Sequence, residues 1–130
     1  MNSSDVNYFI GLPYENGSFG PDSFNCWGLL YFIQLNYFKI QMPLAPLGDP
    51  VACKNLFEGQ ISLGQWTRLE RPVHGCGALM RGGETPHVGI YLDIDGGGIL
   101  HAMEGVGVIW TPVYKLRSAS FGRTQYYRLN

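Results

Sequence analysis

The sequence predicts an α+β fold, and three observations predict it. Helical signals are confined to the first half of the chain, six short alternating runs fill the second, and the chain is apolar enough to bury a core between them. Of 130 residues, 45% are apolar and 14% aromatic. That is sufficient for a real core at a length that suits one domain spanning residues 1–130.

The elements follow in chain order. Residues 11–25, GLPYENGSFGPDSFN, are punctuated by Gly, Pro, Asn and Asp and read as an ordered loop running into a helix. From Cys26 the apolar residues Leu29, Leu30, Ile33 and Tyr37 recur at i+3, i+4, i+7 and i+11, the buried stripe of a helix that ends near Phe38. Asp22, Ser23 and Asn25 are all acceptable caps, and the sequence does not choose between them. Met42 to Gly48 is a Pro-rich connection, too short to divide domains. Asp49-Pro50 then supplies an N-cap and first helical residue for a short helix to about Gly59. From Trp66 onward the runs Trp66–Glu70, Gly77–Arg81, His87–Ile94, Ile99–Met103, Val106–Thr111 and Gln125–Leu129 read as strands of an antiparallel sheet. The helix carrying Cys26 packs on one face of it.

Composition excludes several function classes. Nine Lys and Arg against ten Asp and Glu give a net charge of −1, with no run of either sign, so neither nucleic acid nor membrane insertion is expected. Only 15% of residues are charged, which suggests that a partner covers part of the surface. The N-terminus has no basic region or sustained apolar stretch, and no later segment approaches a membrane span. The expectation is a chain made in the cytoplasm as a soluble protein without a signal peptide. Three cysteines with no CxxC pair argue against a disulfide framework and leave at least one thiol free. His74, Cys76, His87 and His101 match no zinc spacing, so neither metal nor cofactor is expected. The Gly-rich stretch at 96–98 lacks a following helix and Lys-Ser/Thr pair, and reads as a hairpin turn.

One constellation carries chemistry. A thiol in the first turn of a helix meets unpaired N–H groups and the positive end of the macrodipole, which makes Cys26 a candidate nucleophile; the alternative is a small buried core residue. A Cys nucleophile needs a base and a group to orient that base. His87 and His101 are available. His87, Gly89 and Tyr91 share one face of their strand and Val88, Ile90 and Leu92 the other, apolar one. If the following loop is odd-numbered and centred on Asp95, His87 and His101 are diagonal neighbours on one face; a two-residue Asp95-Gly96 turn puts them on opposite faces.

The strings GLPYENGSFGPDSFNCWGLLYF, HVGIYLD, GGGILHA and GVGVIWTPVYKL resemble the NlpC family of papain-like cell-wall cysteine peptidases, and most closely its branch carried at phage tail tips. The resemblance runs from about Gly11 to the C-terminus. It implies the papain-like NlpC fold, with Cys26 as nucleophile, His87 as general base and His101 orienting the imidazole. Tyr14 falls where the family lines the oxyanion or substrate site. Asn25 replaces the Asp that usually precedes the nucleophile, keeping hydrogen bonding without charge. Gly75-Cys76 stands where Gly-Asp is usual, and Trp27 follows the habit of the tail branch.

The implied activity is hydrolysis of an amide bond in the peptidoglycan stem peptide, commonly D-γ-glutamyl to diamino acid, during phage genome entry. The implied partners are that stem peptide and the tail hub or tip proteins. The implied location is the virion tail, acting at the host cell wall or periplasm. A rival reading makes the domain a structural or assembly component of the tail tip with weak or no activity.

Overall fold

The computed structural model describes residues 1–42, 48–81 and 87–130. Residues 43–47 of the expected Pro-rich connection lie outside them. Among the described residues three helices precede a six-stranded antiparallel sheet, so the fold is α+β.

The first helix, α1 (Ser3–Phe9), is an element the sequence reading lacks. Asn2 and Asp5 form a reciprocal capping box: the Asn2 side chain accepts from the Asp5 N–H at 3.0 Å and the Asp5 carboxylate accepts from the Asn2 N–H at 2.8 Å. Val6 and Phe9 are its buried anchors. Helix α2 (Cys26–Phe38) has the expected bounds, and its cap is Asn25, whose Oδ1 accepts the Gly28 N–H at 2.6 Å. Helix α3 (Pro50–Ser62) starts as expected on an Asp49 cap but runs three residues past Gly59. Phe57 and Gln60 are buried on either side of that glycine, so packing outweighs its poor helix propensity.

All six strands appear: β1 (Trp66–Leu69), β2 (Gly77–Met80), β3 (His87–Leu92), β4 (Gly98–Met103), β5 (Gly107–Pro112) and β6 (Gln125–Leu129). Their order is β1-β6-β2-β3-β4-β5. Helices α2 and α3 cover one face, where Leu29, Leu30, Ile33 and Phe57 pack on Leu79, Val88, Ile90, Leu92 and Leu100. Phe57 gathers three aromatic partners there, with ring centroids 5.6 Å from Trp27, 4.8 Å from Trp66 and 5.4 Å from Tyr127.

The opposite face is also dry. The segment after β5, beginning with the 3-10 turn Val113–Lys115, lays Leu116 and Phe121 over Ala78, Met80, Tyr91 and Ile99. Every residue of β3 is therefore buried, on both sides of the strand. Leu92 pairs with Gly98 and Gly89 with His101, leaving a five-residue loop centred on Asp95. This is the odd-numbered alternative, and Asp95, Gly96 and Gly97 accomplish it with successive φ values of 51°, 86° and 94°.

Candidate active site

Cys26 is the first residue of α2, held there by the Asn25 cap. The loop before it is fitted closely to the helix. Asn25 N–H donates to the Ser18 carbonyl at 2.7 Å, and a Cβ on Gly28 would lie 2.2 Å from the same carbonyl oxygen. Only glycine allows that approach. The Cys26 side chain is fully buried. Its sulfur lies against the Cys53 thiol of α3 and near the N–H groups of Val88 and Trp27. Pairing with Cys53, then burial, hold the Cys26 thiol well above the usual thiol range, and the same pairing draws Cys53 below it.

His87 and His101 come together as the odd-loop register requires. They lie on one face of the sheet, their ring centroids 5.9 Å apart, and Phe121 sits edge-on to both at 5.3 and 5.8 Å. Burial lowers the His87 pKa; burial and the neighbouring His87 push His101 down to about 3. Both rings are neutral at pH 7. His101 Nε2 shares a 2.9 Å hydrogen bond with the Thr111 hydroxyl. Nδ1 of each ring is buried with no partner among the described residues.

The two halves of the expected triad are thus assembled separately. Val88 packs with Cys26 on the helix side of β3, and His87 points to the other side. Among the described residues no hydrogen bond joins Cys26 to His87. They are nonetheless close along the backbone, because the Val88 N–H at the Cys26 sulfur belongs to the peptide unit that joins His87 to Val88.

Tyr14 lies beside the thiols. Burial, and then the charges that Cys26 and Cys53 would carry as thiolates, raise its pKa, and its hydroxyl donates to Asn16 Oδ1 at 2.8 Å. The other candidate ligand atoms have structural uses: His74 Nδ1 accepts the Asp93 N–H at 2.9 Å, and Cys76 Sγ accepts the Val73 N–H at 3.4 Å. Among the described residues there is no cluster of three or more His, Cys, Asp or Glu that could hold a metal.

The sequence reading missed Cys53, Thr111 and Phe121. Nothing in the sequence says that α3 delivers Cys53 to Cys26. Thr111 was findable, because β4 and β5 pair His101 with Ile109 and Ile99 with Thr111, which makes Thr111 the diagonal neighbour of His101. Phe121 comes from an aperiodic segment with no such signature.

No family model matches the chain, and no curated protein matches it. Among solved structures it resembles the crystal structure of the NlpC/p60 domain of peptidoglycan hydrolase SagA, at 21% sequence identity and a TM-score of 0.56 over 98% of this chain and 93% of that one. The fold is therefore the NlpC/p60, papain-like one.

Proposed function

We propose that this chain is a cysteine peptidase acting on the peptidoglycan stem peptide, at the D-γ-glutamyl to diamino-acid bond, and that it works as one domain at a phage tail tip during genome entry. The observation that carries the reading is the position of Cys26: first residue of α2, beside Tyr14, with its sulfur against the peptide unit that follows His87. The NlpC/p60 fold and its likeness to a peptidoglycan hydrolase domain support the substrate class.

The chemistry is acyl transfer. His87 removes the Cys26 proton, and the sulfur attacks the amide carbonyl. The oxyanion is held by the N–H of Cys26 at the helix start, with Tyr14 nearby. The carbon–nitrogen bond breaks, and the amine leaves with the proton from His87. Water then hydrolyses the thioester, returning the thiol and a free carboxylate. For this to run, the Cys26 thiol parts from Cys53, and the His87 ring, which here packs against Phe121 on the other side of β3, turns to the helix side to meet it. His101 holds the His87 ring.

A second reading, a tail-tip structural component with little or no activity, is favoured by one observation: the Cys26 thiol is buried beside Cys53 and is harder to ionise than an ordinary thiol. Digestion of purified sacculi, with muropeptides identified by mass spectrometry, separates the two. The peptidase reading expects new free amino groups on the diamino acid with wild type and none with Cys26→Ala or His87→Ala. Absence of new products with wild type, or the same products with Cys26→Ala, refutes it in favour of the structural role. Labelling of tail particles for this chain tests its location; a particle without it refutes the tail-tip assignment.

A further inference from the structure

We infer that Thr111 is a positioning residue of this site, fixing the tautomer and orientation of His101 and, through it, of His87. The inference rests on the peptidase reading for its purpose but on separate geometry for its content.

His101 is fully buried, and its one side-chain hydrogen bond among the described residues is the 2.9 Å contact between Nε2 and the Thr111 hydroxyl. Thr111 is itself buried. A neutral imidazole has one N–H and one lone pair, and whichever nitrogen is bonded decides what the other presents. With the proton on Nε2, donated to Thr111 Oγ1, the ring's only N–H is satisfied and Nδ1 presents a lone pair. With the proton on Nδ1, a donor is orphaned in an apolar interior, which costs the full desolvation of that N–H. The first tautomer is therefore preferred, and Thr111 serves as acceptor.

That tautomer is also the useful one. His87 Nδ1 is buried and has no partner among the described residues. A bare His101 Nδ1 is able to accept a proton-bearing His87 nitrogen, leaving the other His87 nitrogen unprotonated and free to act as base. The opposite tautomer would set two donors against each other. Depression of the His101 pKa to about 3 by burial and by the neighbouring His87 keeps the ring in its neutral, tautomeric form across the physiological range. Val at position 111 preserves the shape and removes the hydroxyl; Ser keeps the hydroxyl and loses a methyl group.

The test uses long-range proton–nitrogen spectra of the histidine rings at pH 7 in wild type, Thr111→Val and Thr111→Ser, with amide spectra to verify folding. Wild type is expected to carry the His101 proton on Nε2. Thr111→Val shifts the population toward Nδ1–H, and Thr111→Ser restores it. In the sacculus assay kcat falls about tenfold or more in Thr111→Val with KM unchanged, and recovers in Thr111→Ser. An Nδ1–H tautomer in wild type, or an unchanged tautomer in a folded Thr111→Val, overturns the inference. If wild type does not digest sacculi, the peptidase reading fails and the tautomer spectra alone decide the role of Thr111.

Discussion

The buried imidazole of His101 should make the protein acid-labile in a defined window. Its pKa falls from the ordinary 6.5 to about 3 in the folded state, chiefly through burial. Above pH 6.5 the ring is neutral in both folded and unfolded chains, and its burial leaves stability unchanged. Below that, the unfolded chain takes up a proton that the folded chain refuses until about pH 3, so stability falls as pH falls through the window. Between pH 7 and pH 4.5 the loss from this one group is about 2.5 kcal/mol, a sizeable part of the ~5–15 kcal/mol that holds a domain folded. Urea unfolding followed by tryptophan fluorescence at the two pH values, in wild type and His101→Asn, isolates the effect. The variant loses packing and hydrogen bonding at both pH values, and His87 contributes to the acid response of both proteins, so the difference between their pH responses reports His101. Wild type should lose about 2.5 kcal/mol more than the variant, and the His101 ring should show no protonation above about pH 4 in a native-state NMR titration. Equal losses in the two proteins, or a ring that titrates near 6, refute the reasoning.

Removal of the Cys53 sulfur in Cys53→Ala should lower the Cys26 pKa, because the interaction with Cys53 is the largest cause of its elevation. The check is the pH dependence of iodoacetamide labelling read by mass spectrometry, and an unshifted Cys26 profile counts against the thiol–thiol interaction. Asn25→Ala should cost about 1 kcal/mol through loss of the α2 cap, whereas Asn25→Asp keeps a side-chain acceptor for the Gly28 N–H; thermal melts of the two variants that coincide would show that the cap contributes nothing.

Much of this architecture was legible because its signals are local. The stripe from Cys26 to Tyr37 bounds α2, and alternation in the second half marks all six strands. Helix α1 escaped notice because seven residues with two buried anchors leave almost no periodicity, although the Asn2 and Asp5 capping pair was there to be read. For β3 and β4 the sequence offered two registers, and the backbone at Asp95 selects between them by adopting a positive φ. The pairing of the candidate residues was legible only in part. His87 and His101 meet because strand register brings them together. The partner of Cys26 depends on how α3 docks, a tertiary event that leaves no pattern around Cys53. For the same reason the sequence shows a single apolar face for β3, whereas Leu116 and Phe121 also cover the second.

The sheet order has a consequence for synthesis. Strand β6, the last of the six in sequence, lies between β1 and β2, pairing with both. While residues 125–129 are still within the ribosome, β1 has no neighbour in the sheet and β2 presents an open edge beside β3. The emerging chain can form its helices and the β2–β5 meander, but it must hold the Trp66 strand in waiting until the final segment arrives to join the two parts. Its exposure to misassembly therefore lasts until β6 emerges, and a nascent-chain series should acquire protease resistance abruptly once β6 clears the tunnel.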